Sequence, residues 1–315
     1  MHTYIEDDIL TATSLKHDAL NPAIEQATGY YRPSTLSRSL ELLATQELTI
    51  VAGATDLYPA KTTRNAWGDW RQYPLLDISD LAELRGITDG GNHYRLGALT
   101  TWSDLVYQPL PRYFDALKQA ALRIGGAQIQ NRATVVGNVC NASPAADGIP
   151  GLLCLDAQVE LCSRSAKRKL PLDEFVLGNR KTVIQADELV TALLIPKLPE
   201  ETLGGFEKLG TRRYLVISIV MVAALLKQDE SGRIDDIRIA IGACSEVAQR
   251  LTRLEDALLG QIGEPGLADL VTMEYFDTLT PIDDIRSDAN YRRQSALQLT
   301  RRLLSALTLK TKLKQ

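Results

Sequence analysis

Histidine is the scarcest reactive residue of this chain. There are three in 315 residues, His2, His17 and His93. A Ser-His-Asp triad, a histidine-ligated metal and a histidine general base therefore all lack raw material. Cysteine is nearly as sparse: Cys140, Cys154, Cys162 and Cys244 are separated by 14, 8 and 82 residues. That spacing matches no C-x-x-C pattern and suggests neither a zinc site nor a common iron–sulfur ligand set. There is no G-x-G-x-x-G and no G-x-x-x-x-G-K-[ST], so neither a dinucleotide-binding doubly wound domain nor a P-loop is indicated. No basic stripe stands out, and the net charge is −4, which argues against a nucleic-acid or anionic-membrane partner. The longest apolar run, 214–226, contains Ser218 and is too short to cross a bilayer; it is expected to be a buried strand. The opening MHTYIEDDIL is acidic where a secretory signal needs positive charge followed by an apolar run. A cytoplasmic location with reduced cysteines is therefore expected.

What is present is an ordinary globular composition, 45 % hydrophobic and 23 % charged, organised in alternating short elements. Residues 1–29 are acidic and weakly periodic and are expected to form an arm. Pro33 and Ser34 predict an N-cap, and Leu36, Leu40 and Leu43 predict an amphipathic helix over 34–45. Strands are predicted at 48–52, 74–77 and 94–97, with a turn of helix at 79–85 and a short helix from Thr101 to Tyr107. A helix is predicted over 112–124, then an irregular segment, a helical turn at 151–155, and strands at 157–163 and 189–195. The segment 196–205, PKLPEETLGG, combines prolines, charges and paired glycines and reads as a boundary. Beyond it three antiparallel strands are predicted, at 206–209, 217–226 and 237–241, followed by helices at 246–259, 265–275 and 288–308. A basic tail, 309–315, ends the chain.

Two glycine turns carry the functional signal. Residues 125–148, GGAQIQNRATVVGNVCNASPAADG, hold four glycines and only two charges, Arg132 and Asp147. Such a run suits a backbone that must come close to something polar and bulky; a turn-rich crossover is the plainer reading. The second turn, Gly53-Ala54-Thr55-Asp56, follows the strand at 48–52. Small residues at a strand end let successive N–H groups converge on an anion. Together with Thr134-Val135-Val136-Gly137-Asn138, this turn could embrace a diphosphate without lysine or arginine.

The blocks YYRPSTLSRSLELLA (30–44), IVAGATDLY (50–58), LLDISDLAELRGI (75–87), LGALTTWSDL (96–105), QIQNRATVVGNVCNASPAADGIPGLLCLDAQVEL (128–161), DELVTALLIP (187–196) and TPIDDIRSDANYRR (280–293) resemble a known family in order and content. The chain resembles the FAD-binding subunit or domain of the xanthine dehydrogenase and carbon monoxide dehydrogenase family of molybdenum hydroxylases. The closing block and LPLDEF (170–175) resemble the xanthine dehydrogenase branch.

The resemblance implies an α+β fold. A two-lobed FAD-binding region of the PCMH/vanillyl-alcohol-oxidase type would span 30–200, its lobes split near 85–90. A C-terminal antiparallel sheet with helices would span 204–308. It implies that Ile50, Val51, Ala52, Gly53, Ala54, Thr55, Asp56 and Leu57 wrap the FAD diphosphate, with Asp56 bracing the turn rather than touching phosphate. Thr134, Gly137, Asn138, Asn141 and Ser143 would form the second arm, and Asp147 would accept from ribose hydroxyls; a helix N-cap is its plainer role. Leu189 and Val190 would line the flavin ring, and Lys208 sits where the family places a flavin-proximal lysine. Ile124 stands where some relatives stack an aromatic ring on adenine, and Ile219 where some NAD-reducing relatives carry a lysine.

No catalytic or metal-ligating residue is expected on this chain. The first cysteine, Cys140, lies inside the flavin motif, so the resemblance places the [2Fe–2S] clusters and the molybdopterin cofactor on partners, an iron–sulfur subunit and a molybdopterin-binding large subunit. The implied function is an oxidoreductase subunit that relays electrons through FAD to an external acceptor such as NAD or oxygen. A stand-alone FAD-dependent oxidase or reductase is the alternative.

Overall fold

The computed structural model describes residues 29–59, 62, 74–213 and 215–312. Apart from Gly29, the expected N-terminal arm lies outside these residues, as does the end of the expected basic tail.

The first lobe is a small parallel sheet of β1 (Tyr30–Tyr31), β2 (Thr49–Val51) and β3 (Leu75–Asp77), in the order β1-β3-β2. Helix α1 (Leu36–Leu43) connects the first two strands. Its cap is Thr35, whose hydroxyl accepts the Arg38 N–H at 3.3 Å, rather than Pro33 or Ser34. A threonine directly before the first helical residue places its oxygen within reach of the N3 amide, where the two earlier residues fall short.

The second lobe begins with β4 (Ile87–Asp89) and β5 (His93–Gly97), then α2 (Trp102–Tyr107), capped by Thr101 in a reciprocal box with Asp104. The helix expected over 112–124 divides into a 3₁₀ turn, Arg112–Phe114, and α3 (Asp115–Ala121). It ends early because Arg123 and Ile124 donate to Ala120 and Ala121, three residues back, ahead of Gly125 at φ +55°. Backbone tightened in this way cannot continue an α-helix.

The segment expected as an irregular glycine crossover contains two helices, α4 (Ala127–Gln130) and α5 (Val135–Asn141). The Thr134 hydroxyl accepts the Gly137 N–H at 2.9 Å and so starts α5 as an N-cap. Helix α6 (Gly148–Cys154) is buried at every position. With no polar face it shows no helical periodicity, which is why only a single turn at 151–155 is legible in its sequence. Strands β6 (Gln158–Cys162) and β7 (Lys167–Pro171) follow, then a hairpin of β8 (Val176–Gly178) and β9 (Lys181–Thr182), then β10 (Leu189–Pro196). The antiparallel sheet runs β4-β5-β10-β6-β7. Its central strand, β10, is buried from Leu189 to Ile195.

The C-terminal sheet has four strands rather than three: β11 (Leu203–Leu209), β12 (Val220–Gln228), β13 (Ile234–Gly242) and β14 (Gln249–Arg250). A two-residue strand leaves no alternation to read, so β14 displaces the start of the expected helix at 246 to α7 (Thr252–Leu258). The helix expected over 265–275 is a pair of 3₁₀ segments, Pro265–Leu270 and Met273–Phe276. Helix α8 (Ala289–Lys312) packs along β11 and β12 and runs into the stretch read as a basic tail.

Strand β12 explains the longest apolar run. Met221, Ala223 and Leu225 enter the core of the two N-terminal lobes, while Val220, Val222, Ala224 and Leu226 enter the core beneath α8. A strand buried on both faces needs no polar alternation. The strand starts only at Val220, and Leu215 and Ile217, earlier in the same run, are more than half exposed. No helix among the described residues is long and apolar enough to cross a membrane.

A buried arginine fastens α8 to the sheet. Arg292 donates from Nη1 to the Ile219 and Ala243 carbonyls at 2.8 and 3.0 Å and from Nη2 to Asp284 at 2.7 Å. Arg286 and Arg292 hold the Asp284 carboxyl well below the usual carboxylate range. A depressed carboxyl contributes stability above its unfolded pKa and loses it as pH falls. Asp284→Asn is expected to cost about 2 kcal/mol at neutral pH, because it leaves the Arg292 charge buried. Urea melts should show that gap closing below pH 4 or so, the ordinary carboxyl range.

Candidate cofactor site

A cleft of about 510 Å³ lies where β2, α5 and β10 converge. Its first wall is the chain leaving β2. Gly53 lies so close to the facing segment that a Cβ built on it would sit 2.0 Å from the Arg132 carbonyl oxygen. Ala54 then takes a left-handed conformation, φ +62°. The N–H groups of Gly53, Ala54, Thr55, Asp56 and Leu57 find no acceptor among the described residues. Five successive unpaired donors in a sharp turn form a concavity of positive potential that suits an anion.

The facing wall is α5. Trp102 donates its N–H to the Ala133 carbonyl and Val135 donates to Thr100, at 3.1 and 3.0 Å. These bonds stitch the starts of α2 and α5 together. Asn138 lines the cleft, but its Oδ1 is buried on the side of Gly148, where it has no hydrogen-bond partner.

Of the residues expected at the site, Ile50, Val51, Ala52, Gly53, Ala54, Thr55, Asp56, Leu57, Ile124, Thr134, Gly137, Asn138, Asn141, Leu189 and Val190 all line this one cleft. Ser143, Asp147 and Lys208 do not. The Ser143 hydroxyl accepts the Ala145 N–H in the turn after α5. Asp147 and Lys208 pair with each other at 2.5 Å in a nearly closed space, their side chains 8 % and 7 % exposed. The Ser218 hydroxyl donates to the other Asp147 oxygen, and Lys208 Nζ also approaches the Arg123 carbonyl at 3.5 Å. Burial pushes the Asp147 carboxyl above its usual range, while Lys208 and Ser218 pull it back. Asp147 precedes α6 but its side chain makes no cap hydrogen bond, so the plain N-cap role is not the one observed.

Sequence reasoning missed three features. Trp102, buried, and Cys140, solvent-accessible, both stand on the cleft wall. Arg180, in the β8–β9 turn, reaches Asp56 Oδ2 at 3.1 Å and Asn141 Oδ1 at 2.9 Å. No local signal marks Arg180, since its partners lie 124 and 39 residues away.

Residues 24–198 match the family model described as FAD binding domain in molybdopterin dehydrogenase, and residues 206–307 match that of the CO dehydrogenase flavoprotein C-terminal domain. This chain belongs to the FAD-binding subunits of the molybdenum hydroxylases. The xanthine dehydrogenase FAD-binding subunit of Escherichia coli O157:H7 is 29 % identical, over 88 % of this chain and 94 % of that protein. The nicotine 6-hydroxylase medium subunit of Paenarthrobacter nicotinovorans is also 29 % identical, over 88 % and 96 %. Among solved structures, carbon monoxide dehydrogenase of Hydrogenophaga pseudoflava lacking the Mo-pyranopterin moiety superposes with TM-score 0.77 at 27 % identity, covering 88 % of this chain and 96 % of that one.

The cleft of this molybdenum-hydroxylase flavoprotein fits FAD on its own terms. The turn after β2 offers N–H donors without a protein acceptor to a diphosphate. The remaining lining is mostly apolar, as a flavin or adenine ring requires.

Proposed function

We propose that this chain is the FAD-carrying electron-transfer subunit of a molybdenum hydroxylase complex. In this reading it accepts electrons from [2Fe–2S] clusters on a partner subunit and passes them to an external acceptor, while substrate chemistry occurs on a molybdopterin-binding subunit. When bound, FAD supplies a centre that exchanges electrons singly or in pairs. The protein's own task is to bind and orient. The turn Gly53–Leu57 would hold the diphosphate, the start of α5 would face it, and Leu189 and Val190 would wall the ring.

The observation that carries the reading is the run of five N–H groups opposite α5 that have no acceptor among the described residues, in a cleft where Asp56 is the only charged residue of the described lining. A relay requires no acid–base group on this chain. Purified chain incubated with FAD should retain one flavin per protein with a flavin absorption spectrum. In the native complex, substrate-driven bleaching of that flavin should require the iron–sulfur partner. Absence of flavin after reconstitution, or substrate turnover by the isolated chain, would overturn the proposal.

A further inference from the structure

The cleft presents a charge problem that its lining does not solve. A diphosphate brings negative charge to a site whose single charged wall residue among those described, Asp56, is itself an anion. No lysine or arginine among the described residues lines the cleft. Among the described residues a cation reaches its edge from outside: Arg180, at the tip of the β8–β9 hairpin, donates from Nη1 to both Asp56 and Asn141.

The hairpin is built to deliver that side chain. The Arg180 N–H donates to the Ala142 carbonyl at 2.8 Å, which pins the turn to the C-terminus of α5. Both residues of this contact are left-handed and neither is glycine: Ala142 has φ +47° and Arg180 φ +55°. Behind the turn, a Cβ on Gly178 would meet Glu246 Oε1 at 2.6 Å, so the C-terminal domain backs the hairpin closely. Left-handed backbone at a non-glycine residue is unfavourable and persists where the surroundings impose it, commonly at ligand clamps. The Asp56–Arg180 pair does not repay that strain, because its side chains are 54 % and 59 % exposed and an exposed pair contributes little to folding. A strained arginine holding a weak ion pair over two walls of one cleft points to binding rather than to stability.

We propose that Arg180 is a positioning residue of the cofactor site. It holds the Gly53–Leu57 turn at a set distance from α5 and cancels the Asp56 charge, so that the cleft accepts a flavin carrying a diphosphate. This inference rests on the FAD reading above. It assigns selectivity for the dinucleotide over phosphate-free flavin to a residue outside the lining, in a hairpin with no glycine-turn motif.

The test uses the full chain stripped of flavin and titrated with FAD or riboflavin, followed by quenching of flavin fluorescence. Arg180→Met should weaken FAD binding about tenfold, the effect of one lost charge-assisted contact, and leave riboflavin binding nearly unchanged. Asp56→Asn added to Arg180→Met should recover much of the loss, because the uncompensated carboxylate is gone. Arg180→Gly relieves the left-handed strain, so its flavin-free melting temperature should equal or exceed the parent's while FAD affinity still falls. That combination separates positioning from misfolding. FAD binding by Arg180→Met at parental strength would overturn the inference alone, as would equal losses for FAD and riboflavin. A parent chain that fails to bind FAD would overturn the flavin reading and this inference with it.

Discussion

Gly53→Ala is expected to abolish FAD binding and to cost about 3 kcal/mol of stability, at the upper end for overpacking a close contact. The reason is the identity of the neighbours. The added Cβ would lie 2.0 Å from the Arg132 oxygen, 2.8 Å from its carbonyl carbon and 3.0 Å from the Ala133 Cα, all backbone atoms. Backbone there cannot rotate away as a side chain would. The Ala133 N–H donates to Ile129 at 2.7 Å and the Ala133 carbonyl accepts from Trp102 at 3.1 Å, so retreat would unstitch α2 from α5. Gly266→Ala is the control, since a Cβ at that site meets nothing within 4 Å. Urea unfolding with flavin titration of both variants decides the matter. Equal midpoints and equal FAD uptake would mean that the approach of the two walls does not limit the site.

Lys208→Met is expected to cost about 3–5 kcal/mol at neutral pH, because the Asp147 carboxylate is left buried without its cation. The pair joins the two domains: Asp147 precedes α6, Lys208 lies on β11, and Ser218 precedes β12. The pH dependence follows from the raised Asp147 carboxyl. A group whose folded pKa lies above its unfolded value loses stability as pH rises through the folded pKa, and removing Lys208 raises that pKa further. The deficit of Lys208→Met should therefore be largest at neutral pH and should shrink as acid protonates Asp147. Adding Asp147→Leu should recover most of the loss, since two apolar side chains replace a buried charge. A deficit that is flat between pH 8 and pH 5 or so would show that Asp147 does not carry the uncompensated charge.

Much of the site was legible because its walls are made of contiguous chain. A turn such as 50–57 brings its own N–H groups together, so composition and order suffice to mark it. Gly137 was likewise readable, since it closes an N-cap with Thr134 only three residues away. The irregular reading of 125–148 failed for a different reason. Helices of four and seven residues, Ala127–Gln130 and Val135–Asn141, are too short to display a hydrophobic period. The fourth strand of the C-terminal sheet escaped notice for the same reason.

From the sequence alone came the family resemblance, the α+β architecture and the Gly53–Asp56 turn, because each rests on local order along the chain. The tertiary structure decided which side chains meet. Asp147 finds Lys208 and Ser218 across 61 and 71 residues, and Asp56 finds Arg180 across 124. Charges so far apart leave no periodic trace. They are brought together only when β11 packs beside the start of α6 and the β8–β9 hairpin reaches the end of α5, and burial decides which of them must be paired.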